Sequence, residues 1–292
     1  VEKFLEEGTD PQSIAYLDFT KKAATEALDR AVEKFMFDAP IGSELPSDGF
    51  ADIESSDFLT GGLNPSAEII IDENSKRLQK LEPFQKWNNK DMKNLRILLK
   101  AEGQCTTDHV SPAGPWLKYR GHLENISQNM YSGALNAYTQ STGEAINTDT
   151  KERGDIYEVA KYYSSNSIDW IVIADENYGE GSSREHAAME PRFMGCKIIL
   201  AKSFARIAQT NLKKQGIIPL IFENESDYDL IEAFDTISTA NLKEFKSGNN
   251  IKLSLKKPDG SIHTVNTLHT FSNNQVSWFK AGSALNLIAN QS

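Results

Sequence analysis

Two segments of the chain carry residue types that could perform acid–base chemistry on an anion. Residues 178–188 read YGEGSSREHAA and follow the apolar run Trp170–Ala174. The order of strand, glycine-containing loop and helix-like segment predicts that the serines lie where a helix begins. Such a point attracts anions, because its N–H groups are unpaired and the helix dipole is positive there. Arg184 would add a planar donor fork that suits carboxylate or phosphate. The structural alternative is that Ser182 or Ser183 serves only as the N-cap of the helix.

Residues 105–122, CTTDHVSPAGPWLKYRGH, form the second segment. It combines Asp108, Arg120 and two histidines, and its prolines and glycines exclude a regular element throughout. A loop this rich in acid, base and cation has no core-packing reason for its composition. A Thr-Thr-Asp-His run can also be a turn that bonds to itself, so both interpretations stay open. We expect His109 and His122 to orient neighbouring groups.

The elements that must position these segments alternate between strands and helices. Apolar runs predict strands over residues 95–101, 170–174, 197–200, 217–222, 251–255 and 264–269, and helical spacing predicts helices over 159–165, 204–214 and 273–290. Strands separated by short helices favour parallel pairing. The serine-arginine segment would then lie at the carboxyl end of a strand, where ligands bind in α/β sheets.

Composition and charge exclude several classes of protein. The 292 residues are 39% hydrophobic and 25% charged, as in soluble globular proteins. A net charge of −10 argues against a nucleic-acid scaffold that works by phosphate neutralisation. No apolar run approaches membrane-spanning length, so we expect no membrane partner. Cys105 and Cys196 are the only cysteines, which suits a reducing compartment and implies no disulfide framework.

These motifs resemble the C-terminal part of aconitase, the iron–sulfur hydro-lyase of the tricarboxylic acid cycle that interconverts citrate and isocitrate. The resemblance spans about residues 38–288 and is closest to the mitochondrial and related bacterial type. It is carried by residues 104–125, 175–216 and 278–286, and more weakly by 44–46 and 77–84.

The resemblance implies an α/β fold, a three-layer β/β/α swivel domain over residues 94–292. An extended connector over residues 38–93 is expected to precede it. Residues 1–37 have helical spacing and no recognisable aconitase signature, so we expect a separate helical N-terminal segment there.

The resemblance also implies a division of chemical labour. Ser182 would be the catalytic base and Asp108 would act in the acid–base network, while Arg120, Ser183 and Arg184 would bind the substrate. A [4Fe–4S] cluster would act as Lewis acid on the substrate hydroxyl. Such a cluster takes three protein thiolates, so its cysteines must lie outside this chain, and no metal ligand is assigned within it.

The expected activity is a hydro-lyase that is incomplete without cluster-bearing domains on the same polypeptide or another chain. Its expected partner is a tricarboxylate, and its expected compartment is the mitochondrial matrix or the bacterial cytoplasm. Two alternatives stay open: a non-catalytic aconitase-derived structural subunit, and a related hydro-lyase of the methylcitrate or homoaconitate type. His186 is expected to be structural. One departure from the family pattern is Ala208-Gln209, where relatives of the mitochondrial type carry His-Glu.

Overall fold

The computed structural model describes residues 68–290. Its strands are β1 Leu95–Lys100, β2 Leu135–Asn136, β3 Ser141–Thr142, β4 Glu144–Ile146, β5 Arg153–Asp155, β6 Trp170–Ala174, β7 Cys196–Ala201, β8 Ile218–Phe222, β9 Thr236–Ala240, β10 Lys252–Lys256 and β11 Ile262–Leu268. Its helices are α1 Thr107–Val110, α2 Leu123–Ile126, α3 Ile156–Ser165, α4 His186–Phe193, α5 Arg206–Lys214, α6 Asp227–Leu230, α7 Asn273–Ala281 and α8 Ala284–Ala289. Among the described residues no helix is both long and apolar enough to cross a membrane.

Seven strands close into a barrel in the order β1-β6-β7-β8-β11-β10-β9. Strands β1, β6, β7 and β8 pair in parallel, as their alternation with helices predicts. The hairpin of β10 and β11 pairs antiparallel and continues to β9. Closure depends on β9, which pairs with β10 on one side and antiparallel with β1 on the other.

The barrel separates two hydrophobic cores, and this produces the three layers. In β6, Ile171 and Ile173 face the barrel interior, whereas Trp170, Val172 and Ala174 face the core on the helix side. All five are fully buried, which explains their unbroken apolar run. The parallel strands and the antiparallel strands are the two β layers, and the helices are the third. The predicted β/β/α architecture is therefore confirmed, with the two sheets joined at their edges.

The parallel pairing brings the two chemically rich segments to one edge. Register partners Leu99 with Val172 and Lys100 with Ile173 align the carboxyl ends of β1 and β6. The chain after β1 contains residues 105–122, and the chain after β6 contains residues 178–188. Neighbouring parallel strands end side by side, so both segments emerge at the same place.

One expectation about the fold changes. The predicted closing helix over residues 273–290 is two helices, because Gly282 adopts a left-handed φ of 96° and ends α7. A Cβ at Gly282 would lie 2.7 Å from the Phe84 and Gln85 carbonyl oxygens. Glycine at this position therefore also lets the backbone of residues 84–85 pack closely against the end of α7. Residues 1–67 lie outside the described residues. Of the predicted connector, residues 68–93 contain one isolated bridge, Leu78 to Gly121, and no helix or strand.

Candidate active site

The segment after β1 is folded locally by its own side chains. The Thr106 hydroxyl accepts the His109 N–H at 3.3 Å, and the His109 Nδ1 accepts the Thr106 N–H at 3.2 Å. This reciprocal capping box is the self-bonded turn that the sequence allowed. His122 acts similarly, since its Nδ1 accepts the Asn125 N–H at the start of α2. Both histidines therefore orient neighbours, and the Asp108 side chain is left 63% exposed.

Two glycines shape the segment after β6. Gly179 and Gly181 have φ values of 79° and 107°. A Cβ at Gly179 would lie 2.3 Å from the Ala208 Cβ in α5, and one at Gly181 would lie 3.1 Å from the Thr107 Oγ1. Only glycine combines this backbone with so close an approach. Ala208, the departure from the family pattern, is thus part of the surface that supports this loop.

Backbone hydrogen bonds join the two segments to each other. The Gly179 N–H donates to the Cys105 carbonyl at 2.7 Å, and the Thr107 N–H donates to the Glu180 carbonyl at 2.9 Å. The Gln104 side chain also donates to the Glu180 carboxylate at 2.6 Å. Loops that share backbone hydrogen bonds hold their side chains in one frame, so the candidate residues on both segments have a defined separation.

Asp175, the first residue after β6, connects the chain before each segment to the residue that follows β7. Its carboxylate accepts the Gly103 N–H at 3.2 Å and pairs with the Lys202 ammonium at 2.8 Å. Burial alone raises the pKa of Asp175, but the Lys202 ammonium and the Gly103 N–H outweigh it and hold that pKa below its ordinary value. The carboxylate is therefore charged at neutral pH, and it holds together the ends of β1 and β6 from which the two segments begin.

An ion pair between Asp108 and Arg184 crosses from one segment to the other. The Arg184 Nη1 lies 2.5 Å from the Asp108 Oδ1 and also donates to the Ser111 carbonyl at 2.9 Å. The Arg184 side chain is 22% exposed, so the pair sits at the surface of the domain with the guanidinium partly enclosed. Of the five site residues predicted from the sequence, Asp108 and Arg184 are thus in direct contact.

Arg120 reaches the same region through its backbone. Its carbonyl oxygen accepts a hydrogen bond from the His186 Nε2 at 2.9 Å. The next residue, Gly121, accepts the Gln79 N–H at 2.9 Å, and a Cβ there would lie 2.8 Å from the Arg77 carbonyl oxygen. The Arg120 backbone is therefore held between α4 and the described part of the connector.

Ser182 and Ser183 are exposed in the loop, and they do not start the helix. Helix α4 begins at His186, its N-cap is Glu185, and no side chain caps it. The expectation that these serines lie at the helix start, where one of them could be the N-cap, is wrong. The reason is local, because the Arg184 N–H bonds the Ser182 carbonyl at 2.8 Å and makes a turn before the helix. The serines directly precede Arg184 and are exposed to solvent. Their place in a substrate site stays a prediction.

Two buried residues that the sequence analysis missed lie beneath the ion pair. The Ser111 hydroxyl donates to the Glu190 Oε1 at 2.8 Å, and Ser111 is the residue whose carbonyl accepts Arg184. Glu190 is fully buried in α4. Burial raises the pKa of Glu190 well above its ordinary value, and the Ser111 hydroxyl lowers it less. A glutamate between Met189 and Pro191 on the buried face of a helix was the available signal.

The two thiols lie in the same buried hydrophobic core, on the helix side of the barrel. Cys105 and Cys196 are both buried and free. Burial raises the pKa of Cys105 to about 12 and raises that of Cys196 as well. Residues 68–290 contain no group of three or more histidine, cysteine, aspartate or glutamate side chains that could hold a metal ion. A thiolate-bound cluster does not fit these residues.

Comparison with known proteins adds independent information. Residues 95–225 match the family model of the aconitase C-terminal domain. The chain is 48% identical over 276 residues to a probable mitochondrial aconitate hydratase of Dictyostelium discoideum, covering 94% of this chain and 36% of that protein. It is 48% identical over 263 residues to the mitochondrial aconitate hydratase of Schizosaccharomyces pombe, covering 90% and 33%.

A relative that is named for a different activity is nearly as similar. The mitochondrial homocitrate dehydratase of Saccharomyces cerevisiae is 46% identical over 296 residues, covering 97% of this chain and 37% of that protein. The chain therefore spans about a third of the length of the curated relatives it matches. The matches cover both segments of the candidate site, and on these grounds the chain belongs to the aconitase family, with the C-terminal domain of that family at residues 95–225.

Proposed function

We propose that this chain is the C-terminal part of an aconitate hydratase, which interconverts citrate and isocitrate through cis-aconitate. The observation that carries the proposal is the Asp108–Arg184 ion pair, which joins the two segments that resemble the family's active-site motifs. The Arg184 guanidinium is a donor that binds carboxylates with two parallel hydrogen bonds, and Asp108 places an acid–base group beside it. The names of the relatives support the same activity.

In this proposal each residue has a separate task. Arg184 and Arg120 hold two substrate carboxylates, and the Ser183 hydroxyl donates a hydrogen bond to the substrate. Ser182, as alkoxide, takes a proton from the carbon beside a carboxylate. The hydroxyl of the adjacent carbon leaves as water with a proton supplied through Asp108, and a carbon–carbon double bond forms. Hydration of cis-aconitate reverses these transfers.

Ser182 needs help to act as a base, because a serine hydroxyl is a very weak acid in water. The helix start that could have supplied N–H donors lies later, at His186. The positive charge of Arg184 must then provide the stabilisation together with Arg120 and groups outside this chain. Within this chain, the two guanidinium groups therefore supply the positive charge that stabilises the Ser182 alkoxide.

The iron–sulfur cluster of the proposed enzyme belongs to domains outside this chain. Two buried thiols with raised pKa values cannot supply three thiolate ligands. We also propose a mitochondrial location, since the relatives are named mitochondrial, and more specifically the matrix. A tricarboxylate and the cluster-bearing domains are the proposed partners.

Homocitrate dehydration is a second candidate function. The homocitrate dehydratase relative is 46% identical, almost as similar as the aconitate hydratases at 48%. The arginines and serines described above recognise carboxylates, which both substrates carry, so this chain alone does not distinguish their lengths. Comparing kcat/KM for citrate and homocitrate in the complete protein would separate the two activities.

The test of the proposed base uses the complete protein that contains this chain. Formation of cis-aconitate from citrate is followed by ultraviolet absorbance in wild type and in Ser182→Ala. We expect turnover to fall by about 10³-fold or more while citrate binding is retained, because the base acts in the transition state. Ser165→Ala, an exposed serine in α3, is the control. Near-normal turnover in Ser182→Ala would remove this residue from the role of base.

A further inference from the structure

Helix α4 contacts both ends of the loop from Ser111 to Arg120, which follows the short helix that carries Asp108. His186 and Glu190 are four residues apart in this helix, so their side chains lie on one face. His186 reaches the Arg120 carbonyl and Glu190 reaches the Ser111 hydroxyl. The two hydrogen bonds therefore hold the loop at positions nine residues apart.

The loop between these contacts has little packing of its own. Residues 112–121 include no buried residue, and the 3-10 turn over Gly114–Tyr119 buries none of its side chains. A segment without a buried apolar side chain gains little free energy from any one position. Its position must then come from polar contacts, and those at residues 111, 120 and 121 lie at its two ends.

The chemistry of the His186 contact is specific. A backbone carbonyl can only accept, so the hydrogen must be on the His186 Nε2. This hydrogen bond connects His186, the first residue of α4 and two positions after Arg184, to the backbone of Arg120. It is a direct link between the segment with Arg184 and the residue that holds the second carboxylate.

The chemistry of the Glu190 contact is different, because the carboxyl group is buried without a cation. Its Oε1 accepts from Ser111, and its Oε2 has no hydrogen-bond partner among the described residues. A buried carboxyl without a cation is stable only when neutral. The Ser111 carbonyl in turn accepts a hydrogen bond from Arg184. The Glu190–Ser111 hydrogen bond therefore also helps to position the Arg184 guanidinium.

We propose that His186 and Glu190 are positioning residues that hold the loop from Ser111 to Arg120 against α4, so that Arg120 and Arg184 can bind one substrate together. The inference rests on the proposed function for its substrate, but the contacts concern this chain alone. A core role would leave substrate affinity unchanged once the protein is folded. A positioning role changes the KM for citrate more than kcat, since the arginines bind carboxylates in the ground state too.

The test compares paired variants in the complete protein. His186→Ala and Glu190→Leu remove the two contacts, whereas His186→Gln and Glu190→Gln keep a donor or acceptor at the same reach. We expect the first pair to raise the KM for citrate on the order of tenfold, with a smaller change in kcat, and the Gln variants to recover most of it. His263→Ala, an exposed histidine of β11, is the matched control for the histidine.

Stability is controlled separately. Asp235→Leu removes a fully buried carboxyl group far along the chain from this loop, so it should lower the Tm without changing the KM. If Glu190→Leu does not fold, Ser111→Ala breaks the same contact from the other side. Amide hydrogen exchange in residues 112–121 should accelerate in His186→Ala and in Ser111→Ala, and less in the Gln variants.

The outcomes separate the two proposals. Loss of Tm with unchanged KM and unchanged exchange in residues 112–121 would overturn the positioning role, as would Gln variants no better than Ala and Leu. If wild type fails to convert citrate, the proposed function fails. The exchange of the loop amides still decides whether His186 and Glu190 hold it.

Discussion

Arg184 uses one guanidinium nitrogen for two contacts, since its Nη1 donates both to the Asp108 carboxylate and to the Ser111 carbonyl. Among the described residues, its Nε and Nη2 make no hydrogen bond. These two nitrogens form one side of the planar fork, and a carboxylate can bind them with two parallel hydrogen bonds. Asp108 therefore orients the guanidinium while a binding face stays available for a substrate.

Replacing this fork with a point charge should weaken the proposed enzyme strongly. Lysine in Arg184→Lys keeps the charge but cannot contact Asp108, Ser111 and a substrate carboxylate at once. We expect kcat/KM for citrate to fall by roughly 10²-fold or more. Arg153→Lys, an exposed arginine of β5 that pairs with Glu144, is the matched control. Equal kcat/KM in both variants would mean that Arg184 does not bind the substrate through its fork.

The stability of the domain should depend on the glycine at position 179. In Gly179→Ala the new methyl group would meet the Ala208 Cβ at 2.3 Å, in addition to the strain of a φ of 79°. We expect the free energy of unfolding to fall by about 2–4 kcal/mol. Gly103→Ala has a similar φ of 66° with no atom within 4 Å, so it should lose only about 1–2 kcal/mol. Chemical denaturation measures both, and equal losses would show that α5 does not press on this loop.

Glu190 should make the stability of the domain depend on pH. The pKa of Glu190 in the folded state lies well above its ordinary value of 4.5, so the native state binds the extra proton in the window between the two. Stability contributed by this proton is lost as the pH rises through that window. Relative to wild type, Glu190→Gln should therefore gain unfolding free energy as the pH rises above the ordinary glutamate pKa of 4.5. A pH-independent difference would show that the carboxyl group titrates normally.

The two thiols should be chemically silent in the native protein. With a pKa raised to about 12, only on the order of 1 in 10⁴ Cys105 side chains is a thiolate at pH 8, and the group is buried besides. Peptide mapping after iodoacetamide treatment should find Cys105 and Cys196 unmodified in the native protein and modified in denaturant. Rapid native alkylation of either residue would contradict the burial.

Local patterns in the sequence determined the elements and the family. The strands at 95–100 and 170–174 and the hairpin of β10 and β11 follow from apolar runs and a turn, because these signals act between near neighbours. The residue types of the site followed from motif resemblance. The three-part division of the chain and the substrate roles of the site residues stay predictions.

Only the tertiary structure decided how distant parts meet. Barrel closure needs β9 to pair with β1, which lies about 140 residues earlier, and no local pattern encodes that contact. The start of α4 at His186 depends on backbone turns that the serines did not reveal. The contact of Glu190 with Ser111 likewise joins residues 79 positions apart. Periodicity shows which face of a helix is buried, but the partner of a buried polar group is set by the packing of the whole domain.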